Sequence, residues 1–482
     1  MNRIEAFAIS LTLIILISIL PLPARAAPTL RTDQPLYTTR DKQVTLIGSS
    51  LSQGVTYYVW VSGPADNKTH SMGTSFSPIS GGLTPPGIII PISANASLGT
   101  YLVSLSTSGS VDNSQSIAHF GVWGTLKPLY QRTQSVMVMG GGLFPGTSLR
   151  ITIRNPAGTF VEETTVATTT NGDFNNTWRI PEDGVTDVYT IFVDGTGTYD
   201  NPQQDYVSQS KFTVTQAVLS AKVANQPNPS YERTQQATFS LGIQYPDGTP
   251  VAKSKTGTTP AILMQNQTTV ASVSLSLTDA ANGIWGASVK LLANATPTQK
   301  YRFELPAMSF DDGFGNKGAS ADIFSDYFQV KNANLTITSE VNGTQIQIPF
   351  GQVSIISKVA YPDGTPLTNG TVTLLLSTGS TTSKLKAVYD PTILAWRASY
   401  SSNIFDLLHV GTWTLRVNAT DSLGNSGTAA TNVTAQPYLF VVLLAVLVAF
   451  VLFARWTYSR YGRRTYFRLR KLVQRLRPSA GK

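Results

Sequence analysis

The sequence predicts an all-β chain, a row of two-sheet sandwich units closed by a single C-terminal transmembrane α-helix. Three observations predict it. Turn motifs recur at spacings near 100 residues, the segments between them alternate apolar and polar side chains, and one uncharged apolar run stands just before a basic C-terminus.

The repeats come first because they set the size of the unit. Leu36-Tyr37, followed by Ile47-Gly-Ser-Ser-Leu-Ser-Gln-Gly54, returns as Leu129-Tyr130, followed by Met139-Gly-Gly-Gly-Leu-Phe-Pro-Gly146; the offsets are 93 and 92 residues. In the second half Tyr245-Pro-Asp-Gly-Thr-Pro250 returns as Tyr361-Pro-Asp-Gly-Thr-Pro366 at an offset of 116. Trp285 matches Trp396 at 111, and Asp312-Gly-Phe-Gly-Asn-Lys-Gly318 matches Asp421-Ser-Leu-Gly-Asn-Ser-Gly427 at 109. A shrinking offset is what short loop deletions produce between homologous units. Residues 27–436 number 410, and a quarter of that is about 102, the length of one β-sandwich. Phe120-Gly-Val122, Phe212-Thr-Val214 and Phe328-Gln-Val330 mark unit ends.

Taken in order, residues 1–26 read as a signal peptide. Arg3 precedes the apolar stretch Ala6–Leu20, prolines 21 and 23 break it, and Ala24-Arg25-Ala26 places small residues for cleavage before Ala27. Residues 27–123, 124–216, 217–332 and 333–436 are then sandwiches one to four. Thr56–Val61 is β-branched and aromatic, and Leu149-Arg-Ile151-Thr-Ile153 alternates cleanly until Asn155-Pro156 stops it. In Tyr-Pro-Asp-Gly, Pro presets φ and Asp-Gly tolerates a positive φ, so a tight turn is expected at both copies. Trp60, Trp178, Trp285, Trp396 and Trp413 are the expected core anchors. Residues 437–456 are the expected transmembrane helix, with Tyr438 and Trp456 at its ends as interfacial aromatics. Residues 457–482 form a basic tail, which the positive-inside rule keeps in the cytoplasm.

Charge supports this partition. The net +9 comes from the ends: ten Lys/Arg with no acid lie in 455–482, the leader adds one, and the body is left near −2. Nucleic-acid binding by the body is therefore disfavoured. In the tail, Tyr466, Leu469, Leu472, Val473 and Leu476 share one helical face, with Arg463, Arg464, Arg468, Arg470, Lys471, Arg475 and Arg477 around it. That is the pattern of a basic amphipathic helix on an anionic inner leaflet. The body holds ten Asn-x-Ser/Thr sequons, at Asn67, Asn95, Asn175, Asn266, Asn294, Asn334, Asn342, Asn369, Asn418 and Asn432, all on the external side as glycan sites require. Strand alternation turns Asn418 away from Trp413, Leu415 and Val417.

Catalytic and metal chemistry find little footing. With no Cys, there is no disulfide framework, thiolate metal site or thiol nucleophile. His70, His119 and His409 are too far apart in sequence for a paired-His metal motif, and no nucleophile-elbow or phosphate-loop pattern occurs. His119 reads as an outward strand residue. The one polar cluster with calcium-like chemistry is Asp311, Asp312, Asn316, Asp322 and Asp326; its spacing is not that of an EF-hand, and turn capping by Asp and Asn is the simpler reading. No cofactor is expected.

A resemblance adds to this. Asp33-Gln-Pro-Leu-Tyr37 resembles the start of a macroglobulin-type domain, and Gly141-Gly-Leu-Phe-Pro-Gly146 and Asp421-Ser-Leu-Gly-Asn425 are similar to turns of bacterial and archaeal immunoglobulin-like (Ig-like) surface modules. The resemblance spans most of 27–436 and implies tandem Ig-like β-sandwiches serving as stalks, spacers or binding units. A macroglobulin trap would need a thioester Cys, which is absent, so that activity is not implied. The expectation is a non-catalytic, single-pass surface stalk whose partners are the membrane and cell-envelope proteins or glycans. A receptor or accessory subunit with a tail-bound cytoplasmic partner is the alternative, and a surface hydrolase the least supported class.

Overall fold

In the computed structural model the described residues are 28–64, 69–78, 87–93, 95–255, 261–342, 345–462, 467–468 and 470–472. The chain is β-rich throughout, with strands from Thr29–Thr32 to Ser426–Pro437, followed by the helix Leu439–Thr457. Buried hydrophobics fall into four clusters along the chain, here called units one to four. They centre on Tyr37, Tyr57 and Phe120; on Tyr130, Tyr189 and Phe212; on Phe239, Trp285 and Phe303; and on Leu374, Trp396 and Trp413. The expected signal peptide, residues 1–26, lies outside the described residues.

One strand pairing recurs in every unit. A short early strand runs parallel to the last strand: Leu36–Thr38 against 121–123, Leu129–Gln131 against 213–215, Ser230–Glu232 against 329–331, and Gln345–Ile348 against 434–437. This brings together two motifs seen separately in the sequence. The Tyr of the early strand meets the Phe of the Phe-x-Val strand edge-on, at 5.6 Å for Tyr37–Phe120, 5.7 Å for Tyr130–Phe212 and 5.2 Å for Tyr231–Phe328. Such a pair contributes about 0.5–1.5 kcal/mol beyond its buried area. Each Tyr hydroxyl also accepts the backbone N–H three residues upstream, from Gln34, Lys127 and Asn228.

The repeats of the second half meet as well. The two Tyr-Pro-Asp-Gly turns form as expected, with Gly248 and Gly364 at φ 85° and 83°. The residue after each turn motif, Val251 or Leu367, accepts the indole N–H of Trp285 or Trp396 at 2.9 and 2.8 Å. The motif tyrosines donate to the aspartate of the Asp-x-x-Gly-Asn motif in the same unit, Tyr245 to Asp312 and Tyr361 to Asp421.

Two expectations about the core change. Trp60 is only half-buried, and its indole nitrogen is enclosed without a partner. The fully buried tryptophan of the N-terminal half is Trp123, which packs with Leu36 into the cluster of unit two. The break expected near 123 falls inside the strand Ser114–Thr125, which pairs with Ser135–Gly140 and carries one sheet across both units. Alternation within a strand shows which face is buried; it does not show which unit buries it.

Candidate functional site

The most elaborate polar constructions among the described residues lie where one unit meets the next. Between units two and three, Arg132 leaves the early strand of unit two and is buried. Its Nε donates to Gly184 O at 2.6 Å in its own unit, and its Nη1 donates to Phe314 O at 2.6 Å and Asn316 Oδ1 at 3.2 Å in the next. Between units three and four, Arg233 does the same: Nε to Ala295 O at 2.7 Å, Nη1 to Leu423 O at 2.7 Å and to Asn425 Oδ1 at 3.1 Å.

The receiving loops are equally alike. Asn316 Oδ1 also accepts Ala217 N–H, and Asn425 Oδ1 accepts Ala333 N–H. Each Asn side chain donates back to an aspartate at 2.6 Å, Asp312 or Asp421. Both asparagines are 0% exposed, so an unfilled bond there would carry the full desolvation cost, about 1–3 kcal/mol. A guanidinium suits this position because its fixed fork serves carbonyls of both units at once, which an ammonium cannot do.

A second contact flanks each latch. Asp247 of the first Tyr-Pro-Asp-Gly turn accepts Arg179 Nε at 2.7 Å from unit two, and Asp363 of the second pairs with Lys290 of unit three. Burial raises the Asp247 and Asp363 carboxyls. Hydrogen bonds from Thr249 and Arg179, and from Lys290 and Thr365, outweigh it, so both end low, Asp363 at about 2. Burial, then the bond to Asp421, pushes the Tyr361 hydroxyl up to about 12. Tyr245 rises further for the same two reasons, with Asp312 as its partner. The joint between units one and two is built differently. There Asp173 accepts the Thr100 N–H and hydroxyl, Trp123 donates to Ser208, and Gly121 lies so close to Gly141 that a Cβ would stand 1.7 Å from its carbonyl oxygen.

The calcium candidates are distributed accordingly. Asp312 and Asn316 sit in the latch, where Asp312 accepts from Phe314 N, Asn316 N, Asn316 Nδ2 and Tyr245 Oη, four donors for about four lone-pair sites. Asp311 caps its own turn through Gly313 N, and Asp322 accepts Ala307 N. Asp326 is exposed, and its N–H donates to Gln226. Among the described residues no group of three or more His, Asp or Glu is placed to share an ion. His119 is not simply outward: its Nδ1 lies 2.7 Å from Asp200 and its ring stacks on Tyr199 across the first joint. His409 ends the short 3-10 segment Ile404–His409, and its carbonyl accepts Trp413 Nε1. Asn67 lies outside the described residues. Asn95, Asn175, Asn266, Asn294, Asn334, Asn342, Asn369 and Asn432 are exposed, while Asn418 is half-buried. Arg468, Arg470 and Lys471 are helical and exposed, and Arg463, Arg464, Arg475 and Arg477 lie outside the described residues.

The latch arginines escaped the sequence reading although a signal existed. Tyr130-Gln-Arg-Thr-Gln134 and Tyr231-Glu-Arg-Thr-Gln235 match at an offset of 101, whereas the repeat of Leu129-Tyr130 at Leu36-Tyr37 hides the arginine, because Thr39 stands in its place there. The shared backbone is a tight turn with Thr133 and Thr234 both at φ 68°, a conformation that strains a β-branched residue.

Comparison with known proteins finds no matching family model and no matching curated protein. Among solved structures the chain is similar to a tetra-tandem repeat in the extending region of a large adhesion protein, at 13% identity and TM-score 0.23, covering 85% of this chain and 99% of that one. A Ca2+-stabilised adhesin of an Antarctic bacterium described as binding ice gives 13% identity and TM-score 0.20, covering 86% and 99%. Trypsin-activated alpha-2-macroglobulin from Escherichia coli gives 10% identity and TM-score 0.17, covering 85% of this chain and 41% of that one.

Proposed function

We propose that this chain is a membrane-anchored, non-catalytic surface stalk, a stiff rod of Ig-like units that holds its N-terminal unit away from the cell. The observation that carries the proposal is the twice-built latch. In unit three the strand Gln236–Gln244 begins beside Arg233 at one joint and ends beside Tyr245 at the other, so the two joints occupy opposite ends of the sandwich and the units stack end to end. The connections are short: Thr215 ends one strand and Val218 begins the next, leaving no slack for a flexible linker. Strands of 9–12 residues at about 3.3 Å each give about 30–40 Å per unit, and a rod on the order of 140 Å.

In this reading residues 1–26 are removed on export, the exposed sequons carry glycans, and the helix Leu439–Thr457 is the anchor, its described residues unburied and long and apolar enough to cross a membrane. Tyr438 and Trp456, 18 residues apart, would stand about 27 Å apart along a helix, close to the thickness of a hydrocarbon core. Arg460 lies over the Trp456 ring at 5.1 Å, a basic–aromatic pair suited to the cytoplasmic interface. The test is electron microscopy of the full chain in lipid nanodiscs. One straight projection on the order of 140 Å is expected from one side of the disc. A folded-back or freely hinged ectodomain, or recovery of the protein without lipid, would overturn the proposal.

A further inference from the structure

At the end of unit four the latch position changes character. The positive-φ residue of the tight turn is Thr133 in unit two, Thr234 in unit three and Phe350 in unit four, so Pro349 stands where the latch arginines stand. Phe350 is 67% exposed. Beside it, its N–H bonded to Ser402 O, begins the loop that contains the 3-10 segment Ile404–His409. This loop is firmly built. Asn403 and Asp406 close a capping box, Asp406 also accepts the Tyr400 hydroxyl, and Leu407 packs against the core of unit four. Yet it turns Phe405 and Leu408 outward at 73% and 78% exposure, with Ile404 beside them.

The same end face is nearly free of charge. Its connections are Pro349-Phe350-Gly351, Thr378-Gly379-Ser380, residues 402–410 and Pro437-Tyr438, and their only acid, Asp406, is buried and bonded. In units two and three the corresponding end is covered by the next unit. In unit four the chain leaves it directly for the apolar helix: Tyr438 N–H donates to Ile348 O at 2.8 Å, and the helix begins at Leu439.

We propose that this end face, through Phe350, Ile404, Phe405 and Leu408, is a membrane-seating surface that enters the outer interfacial zone of the lipid bilayer. The proposal rests on the anchored-stalk reading, since only a spanning helix brings the face to lipid. Given that helix, the hydrogen bond at Tyr438 leaves the face no room to stand off. Aromatic and aliphatic side chains on connections whose only carboxylate is buried match the headgroup–acyl boundary, where apolar groups sit about 5–10 Å deep. Seated there, the face would hold the rod upright without a further protein.

The absence of Cys makes the test direct, because each substitution creates a unique labelling site. Full-length F405C, L408C, V388C and L447C are labelled with an environment-sensitive fluorophore and reconstituted in phosphatidylcholine/phosphatidylglycerol vesicles carrying shallow or deep nitroxide lipids. Leu447 lies in the helix, and the exposed Val388 lies on the flank of unit four. The expected result is loss of about half or more of the emission at 405 and 408 with shallow nitroxides, no loss at 388, and quenching at 447 by deep nitroxides. Quenching at 447 with 405 and 408 as bright as 388 overturns the seating surface and leaves the anchor standing. No quenching at 447 overturns the anchor and the seating surface with it. If unlabelled L408C instead forms a disulfide-linked dimer and its label escapes quenching, the face belongs to a second copy and the proposal fails.

Discussion

Replacing Arg233 by Ala tests the joint most directly. The change removes donors at 2.7 Å to Ala295 O, 2.7 Å to Leu423 O and 3.1 Å to Asn425 Oδ1, at a side chain left only 4% exposed. Hydrogen bonds to a charged group contribute about 1.5–3 kcal/mol each, and water entering the joint recovers part of the loss, so a net cost of about 3–5 kcal/mol is expected. At about 2–4 °C per kcal/mol for a cooperative block of 150–250 residues, the transition of units three and four should fall by about 6–20 °C. Calorimetry of the ectodomain reads that shift, and small-angle scattering reads the accompanying shortening as the joint hinges. Arg233→Lys should recover only a minority of the loss, because one ammonium cannot serve the carbonyls of both units. Asn425→Ala should cost a similar amount and be non-additive with Arg233→Ala by about 1 kcal/mol or more. Unchanged scattering together with an unchanged transition in Arg233→Ala, or strict additivity of the pair, would refute the latch.

Three further outcomes follow from the same structure. The Asp363 carboxyl is held at about 2 against an ordinary 3.8, so its contribution is present above pH 4 and lost as pH falls toward 2; acid titration followed by scattering should show the last joint loosening in that window, and Asp363→Asn should remove the dependence. Tyr361, raised from 10.0 to about 12, contributes stability that is complete below pH 10 and lost as pH rises to 12, so Tyr361→Phe should blunt the alkaline transition seen by circular dichroism. With Asp312 saturated by protein donors, EDTA should leave the thermal transition of the ectodomain in place, whereas Asp312→Ala should cost about 3–5 kcal/mol by stranding Tyr245 and Asn316; a large shift in EDTA would restore the calcium reading.

The repeated turns, the Phe-x-Val unit ends and the apolar C-terminal run were legible in the sequence because each follows from local chemistry: Gly at a positive φ, alternation on a pleated strand, and a run of apolar residues long enough for a helix. The tight turns at Gly248 and Gly364 and the buried Trp178, Trp285, Trp396 and Trp413 agree with that reading. Of the polar cluster expected at Asp311, Asp312, Asn316, Asp322 and Asp326, the structure brings Asp312 and Asn316 together, and local spacing holds no information on what fills their bonds. The cation that reaches Asn316 comes from Arg132, 184 positions away, and only the end-to-end stacking of two units brings it there. Trp123 escaped for the same reason, since apart from Leu36 the core of unit two that buries it belongs to the segment that follows the expected break. Phe350 shows the limit from the other side: in sequence it is one more aromatic after a proline. Its place at the end of the fourth sandwich, bonded to Ser402 and two residues past the Ile348 carbonyl that accepts Tyr438 N–H, is decided by the parallel pairing of Gln345–Ile348 with the strand Ser426–Pro437. Patterns within a strand or turn depend on a few neighbouring residues and can be read directly; contacts between units depend on how separately closed sandwiches meet, which no local period encodes.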